Sequence, residues 1–228
     1  MDRIELGAPV IGVAAEMSLA GSLQLADGEG QAAFRLERID SALGLFNLQG
    51  SFSNQTRVLD IAVDLDEGPG GIVTTLAGFP GDPAVVLDVK GNGPLDDFSA
   101  DMTLATDGAE RLAGTLRIGG EESAGTDDLV FRAEVGGDIA PLFMPEYREF
   151  FGTDIRALVN GRRAPDGALT VEAFDLTARQ IELSGSYAGD AAGIPSAFDV
   201  DGRIASGDGT PVLLPIPGDE TRIDSALL

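Results

Sequence analysis

FPGDPAVVLDVKGNGPLDDFSADMTLATDGAERLAGTLRI, residues 79–118, is the stretch whose reading decides the fold class. Val85, Leu87 and Val89 alternate with Val86, Asp88 and Lys90. Gly91-Asn92-Gly93-Pro94 breaks the run as a turn would. Ala100, Met102 and Leu104 then alternate with Asp101, Thr103 and Ala105, and Asp107-Gly108 breaks the pattern again. Leu112, Gly114, Leu116 and Ile118 alternate with Arg111, Ala113, Thr115 and Arg117. A period of two places alternate side chains on opposite faces of a strand. The stretch therefore predicts three strands sharing one apolar face, and the question for the whole chain is what covers that face.

The same pattern extends in both directions. From Val13 to Leu25 every odd position is apolar or glycine, up to the break at Asp27-Gly28. Phe34 and Leu36 follow. Leu43 and Leu45 give way to Phe46, Leu48, Gly50 and Phe52, a change of phase that suggests a bulge or a short turn. Leu59, Ile61, Val63 and Leu65 alternate with Asp60, Ala62, Asp64 and Asp66, and Ile72, Thr74 and Leu76 lead on as a strand toward Phe79. Beyond Ile118 a polar loop, residues 119–125, precedes Leu129, Phe131, Ala133 and Val135. Leu169, Val171 and Ala173 precede Phe174, Leu176 and Ala178, with Ile181, Leu183, Gly185 and Tyr187 next. Phe198, Val200, Gly202 and Ile204, then Val212, Leu213 and Leu214, come before the break at Pro215–Gly218. The count is about 15 strands, turned every 8 to 12 residues, as in an all-β protein. There is no strict period near 40 residues, which favours a meander over propeller blades. In one continuous sheet that number of strands would span about 70 Å, an elongated object.

One segment departs from the strand pattern. Phe143, Tyr147, Phe150 and Phe151 have helical spacing between Pro141 and Gly152. Pro145 suits a first helical turn and Gly152 a left-handed cap. One short aromatic helix near residues 141–152 is expected. It reads as a plug packed on the sheet, with a gate or partner-docking element as the alternative.

Composition narrows the function classes. The 228 residues carry 38 Asp and Glu against 15 Lys and Arg, a net charge of −23, with no His, Cys or Trp. Such a charge repels phosphate backbones, so no nucleic-acid partner is expected. Lack of His and Cys removes the usual general base and the thiol nucleophile, so no enzyme activity and no catalytic residue is expected. Carboxylate pairs such as Asp96-Asp97 and Asp127-Asp128 lie in turns, where acidic residues are ordinary. Asp64-Leu65-Asp66 and Asp199-Val200-Asp201 do not follow a calcium-loop pattern and read as solvated strand faces, so neither a metal nor a cofactor is expected. No apolar run approaches the roughly 20 residues that cross a bilayer, and the N-terminus lacks the pattern of a signal peptide. The sequence reads as a single segment, residues 1–228, of a longer protein.

What remains is the apolar face. Its residues either bury one another in a closed sandwich or line a trough for an apolar ligand such as an acyl chain. In the trough reading the lining is assigned strand by strand. The first half of the chain supplies Leu59, Ile61, Val63, Val85, Leu87, Val89, Met102 and Leu104. Leu112, Leu116, Ile118, Leu129, Phe131, Leu183, Phe198 and Val200 follow along the chain.

Three sets of motifs then carry a resemblance. The first is Gly91–Phe98 followed by Ala100–Leu104 and Leu112-Ala113-Gly114. The second is Gly137–Leu142 with Glu146-Tyr147-Arg148 and Phe150-Phe151-Gly152. The third is Gly209–Pro215 with Pro217-Gly218. In this order they resemble the TamB family of Gram-negative bacteria, the inner-membrane-anchored subunit of the translocation and assembly module, within the AsmA-like superfamily. The resemblance runs from about Leu19 onward, through individually degenerate motifs. It implies a β-taco, an elongated and strongly curved sheet with a hydrophobic groove. It also implies a periplasmic location with an inner-membrane anchor outside this chain, phospholipid acyl chains as ligand, and a TamA-like outer-membrane barrel as partner of another part of the protein. The associated functions are phospholipid movement between the membranes and outer-membrane protein assembly and secretion. With the resemblance included, the groove is the favoured reading. A strand-adding scaffold for outer-membrane proteins and a closed β spacer remain alternatives.

Overall fold

A computed structural model describes residues 2–7, 14–40, 43–119, 127–216 and 220–227. The chain is all-β, and fourteen strands follow in sequence order in an antiparallel sheet that does not close. It divides into two compact units, Met1–Ala113 and Gly114–Leu228. Val13, residues 120–125 of the expected polar loop, and Pro217-Gly218 lie outside the described residues.

The first unit holds β1 (Asp2–Leu6), β2 (Ala15–Ala26), β3 (Glu29–Arg38), β4 (Gly44–Ser53), β5 (Val58–Glu67), β6 (Val85–Pro94), β7 (Asp97–Thr106) and the start of β8 (Ala109–Gly119). Asp-Gly pairs make its tightest turns. Asp27 and Gly28 have φ of 53° and 81°, and Asp107 and Gly108 have 50° and 76°. Two successive left-handed residues form the primed turn whose twist matches that of the flanking strands. The first of these turns pairs Ala26 with Glu29.

Several expectations need correction in this unit. Gly91–Pro94 is not a turn: β6 runs through it, with Pro94 opposite Val58, and the chain reverses at Leu95-Asp96. The glycines are there for space, since a Cβ on Gly91 would stand 2.5 Å from Phe98 Cζ. The change of phase in β4 produces no bulge. β4 pairs without a shift on both sides, and Leu45 simply points to the polar side opposite Asp66. Ile72–Leu76 is not a strand either, but lies in helix α1 (Ile72–Ala77). Its β-branched residues disfavour a helix, and tertiary contacts override them. The Glu67 carboxylate accepts the N–H groups of Ile72 at 3.1 Å and Val73 at 2.8 Å, and Gly78 closes the far end in a left-handed conformation.

The second unit holds the rest of β8, β9 (Leu129–Gly137), β10 (Ile155–Arg163), β11 (Leu169–Thr177), β12 (Ile181–Gly189), β13 (Pro195–Ala205) and β16 (Ser225–Leu227). A separate pair, β14 (Val212–Leu213) and β15 (Arg222–Ile223), carries the buried Val212 and Leu213. The register of β11 shifts against both neighbours between Val171 and Phe174, so Leu169 and Val171 share a face with Phe174 and Leu176. The single helix expected near 141–152 is three shorter pieces. Ala140–Leu142 and Pro145–Tyr147 are 3-10 turns, and only Arg148–Phe151, α2, is α-helical. Gly152 has φ of 67° but ψ of −164°, so it ends the segment outside the left-handed helical region.

Candidate functional site

Residues opposite one another in an antiparallel ladder share a face, so the registers sort every side chain of the first unit. One row across six strands reads Leu19, Leu36, Phe46, Leu65, Leu87, Leu104. The next reads Gly21, Phe34, Leu48, Val63, Val89, Met102, and the third Leu23, Ala32, Gly50, Ile61, Gly91, Ala100. A fourth runs Leu25, Gly30, Phe52, Leu59, Gly93. None of these four rows contains a polar side chain. The opposite side carries rows such as Arg35, Asn47, Asp64, Asp88, Thr103. There Lys90 Nζ donates to the Asp88 carboxylate at 2.6 Å, which holds Asp88 below the usual carboxylate range.

Such a face normally becomes a fully buried core. Here the interior rows are only half-buried, and Leu23, Leu25 and Phe34 are 62%, 75% and 38% exposed.

One end of the face is closed. The row beyond Leu19–Leu104 includes Met17, Gly44, Glu67, Val85 and Thr106, all buried, together with Arg38. Its charges are satisfied locally. Arg38 makes two 2.9 Å bonds to the Asp40 carboxylate, whose pKa falls to about 2, chiefly through those bonds. Glu67 is used in capping α1, whose Thr74 is fully buried.

The expected lining residues Leu59, Ile61, Val63, Val85, Leu87, Val89, Met102 and Leu104 thus come together on one face. Val85 lies in the closed row. Leu112 lies in β8, and its side is an expectation from the turn that precedes it. A two-residue Asp107-Gly108 turn like its twin, which sets Ala26 opposite Glu29, would set Thr106 opposite Ala109. Leu104 would then face Arg111, and Leu112 would fall opposite Thr103. The bond from Arg111 Nε to Thr106 Oγ1, 2.7 Å, keeps Arg111 on the side of Leu104 and Thr106. Alternation within the strand puts Leu116 and Ile118 on the side of Gly114, where a Cβ would stand 3.3 Å from Val135 Cβ in the second unit.

That unit has its own apolar face. Its rows read Val135, Ala157, Leu176, Leu183, Gly202, then Ala133, Val159, Phe174, Gly185, Val200, then Phe131, Gly161, Val171, Tyr187, Phe198. Phe131, Leu183, Phe198 and Val200 are therefore on one face, with Leu129 in the neighbouring row opposite Arg163. Leu129 is 40% exposed and Phe198 72%. The polar side of β11–β13 has a depression of about 540 Å³ lined by Asp175, Glu182, Asp201, Arg203 and Leu227. Leu176 and Leu183 also contribute to its lining.

The aromatic segment is anchored at strand ends. Phe143 and Phe151 stack at 4.0 Å, and Phe150 and Phe151 meet edge to face at 5.1 Å. The Phe151 carbonyl accepts Arg179 N–H and the Phe150 carbonyl accepts Gln180 N–H, in the β11–β12 turn. Glu149 pairs with Arg179 at 3.3 Å. Phe150 is buried, while Phe143, Tyr147 and Phe151 are half-buried. The rings thus pack on one another beside the β11–β12 turn.

Sequence reasoning missed several lining positions: Leu19, Leu36, Phe46, Leu48 and Leu65 in the first unit, and Val135, Val159, Phe174 and Leu176 in the second. Their alternation was visible; extending it across the Asp-Gly turns would have found the first set. No protein-family model, curated protein or solved structure matches the chain.

Proposed function

We propose that the apolar face of each unit shields lipid acyl chains, in a periplasmic protein that carries phospholipid between the inner and outer membranes. The observation that carries this reading is a set of sheet rows without a polar side chain that nevertheless stay accessible. Burying methylenes there at about 25 cal/mol per Å² favours binding without specific contacts. Transfer then needs no chemical step, so no catalytic group is required. The setting comes from the resemblance to the TamB family: an inner-membrane anchor and a TamA-like outer-membrane barrel partner, both reached through parts of the protein outside this chain.

The test is site-specific photo-crosslinking in the presence of phospholipid vesicles. Crosslinkers at Leu87 and Leu104 should capture phospholipid, and those at Asp88 and Thr103 should not. Equal labelling of the two sides, or none, would sink the proposal.

A second reading is strand addition by an unfolded outer-membrane protein. The outer edge of β13 favours it, because among the described residues β16 pairs with Arg203–Ala205 alone and Phe198 stands exposed. Native mass spectrometry showing bound peptide instead of lipid would select it.

A further inference from the structure

Both apolar faces contain the same local device. A Cβ on Gly21 would stand 2.5 Å from Phe34 Cδ1, and one on Gly91 the same distance from Phe98 Cζ. In the second unit Phe131 lies over Gly161 and Phe174 over Gly185 in the same way. Phe34, Phe131 and Phe174 are directly opposite their glycines in the ladder. Side chains ordinarily stand perpendicular to a sheet. These rings instead lean across the strand gap into the space that a Cβ would fill. Glycine in a strand interior weakens it, so a repeated aromatic-over-glycine pairing implies a use for the close approach.

We infer that these ring–glycine pairs keep the faces low in relief and so make them selective for unbranched acyl chains over methyl-branched ones. This rests on the acyl-shielding reading above and adds the shape of the chain to it. The occupant follows from three features of the face. First, β3 to β6 have ladder partners on both edges, and β2 has them over Ala15–Leu19, so a peptide laid on that part of the face would meet no free backbone donor or acceptor and would bury its own unpaired. Second, the four rows are uncharged, which matches a methylene chain and no polar ligand. Third, a second copy of this chain brings a further net charge of −23 and is repelled. A straight chain can lie flush on a smooth floor, whereas each methyl branch lifts it off. Differences of one methyl in an apolar site discriminate by about tenfold or more.

Gly21 is the position at which to test this. Phe34 is 38% exposed, so its ring has open space to move into when a Cβ arrives, and Gly21→Ala should fold. A photo-crosslinker at Leu48, which faces Phe34 across the ladder, reads occupancy beside the ring. The probes are vesicles of dipalmitoyl phosphatidylcholine and of its methyl-branched diphytanoyl counterpart. The unsubstituted ring–glycine pair should give at least about tenfold more labelling with the straight-chain lipid. Gly21→Ala should lift the ring and cut that labelling by a similar factor. Phe34→Leu, which removes the ring without adding a Cβ, should keep straight-chain labelling and raise that of the branched lipid. Should Gly21→Ala lose its strand signal in circular dichroism, Phe34→Leu decides alone. Equal labelling by the two lipids, or a preference unchanged in both variants, overturns the inference. Labelling at Leu87 with none at Leu48 overturns the inference alone, and labelling at neither overturns the acyl-shielding reading with it.

Discussion

Two neighbouring residues of β6 should respond to truncation in the reverse order of their size. Val85 and Leu87 point to the same side two residues apart. Val85 is 1% exposed, in the closed row with the buried Glu67 and Thr106, whereas Leu87 is half-buried in the open row. Leu→Ala removes more carbon than Val→Ala. In an enclosed core it costs about 2–5 kcal/mol, because a cavity term adds to the lost transfer energy. At Leu87 no enclosing wall exists to hold a cavity. Only the transfer term remains, for roughly half the side chain, about 1 kcal/mol. At Val85 the cavity is enclosed on all sides, and the smaller deletion should cost about 2 kcal/mol.

Urea unfolding followed by far-ultraviolet circular dichroism measures both. Tyrosine fluorescence is unsuitable, since Tyr147 and Tyr187 are both in the second unit. Hydrogen exchange at β5–β7 localises the loss to the first unit. If Leu87→Ala costs about 3 kcal/mol or more and exceeds Val85→Ala, the face is covered by protein in solution, and the acyl-shielding reading loses its basis.

Two further outcomes test the closed end of that face. Glu67→Ala removes the acceptor for two N–H groups of a six-residue helix too short to persist alone, so amide exchange in α1 should quicken by about tenfold, and Glu67→Gln by less. Asp40 is ionised down to about pH 2 when folded and only to about 3.8 when unfolded. Its contribution is therefore complete above about pH 5 and lost as pH falls through 2; with one-fifth of the side chain exposed it amounts to about 1 kcal/mol, and Asp40→Asn should abolish that part of the pH dependence in acid titrations of stability.

The strands were legible because alternation and turn chemistry agree along most of the chain. Leu59–Leu65 and Val85–Val89 announce both their conformation and their buried side, and Asp27-Gly28 announces its hairpin. Legibility failed where a glycine or a β-branched residue serves a tertiary need. Gly91-Asn92-Gly93 has the composition of a turn, yet its glycines make room for Phe98. Ile72–Ala77 has strand-like residues, yet a carboxylate five residues upstream makes it a helix. The openness of the face was never in the pattern, because alternation looks the same whether the apolar side meets a second sheet or a ligand.

The position of Leu112 is the sharpest case, because local reading and turn geometry disagree over it. Alternation alone puts Leu112 with Leu104, as both are apolar and each begins a clear run. A two-residue turn at Asp107-Gly108 makes paired positions sum to an odd number, so the even-numbered Leu104 must face an odd-numbered residue, Arg111. The paired cysteines Thr103→Cys and Leu112→Cys would then occupy directly opposed positions on one side. That pair is one step from the hydrogen-bonded Leu104–Arg111 pair and three from Thr106–Ala109, hence of the non-hydrogen-bonded kind, with Cα atoms about 4.5 Å apart. This lies within the range a disulfide spans. Leu104→Cys with Leu112→Cys would put the two thiols on opposite sides, where no bridge can close. The chain has no native cysteine, so mass spectrometry after mild oxidation gives an unambiguous answer. A bridge in the second variant and none in the first would return Leu112 to the apolar face of the first unit. The reverse result would confine that face to β1–β7 and identify the Asp-Gly turn, not the apolar run after it, as what sets the side on which β8 presents its leucines.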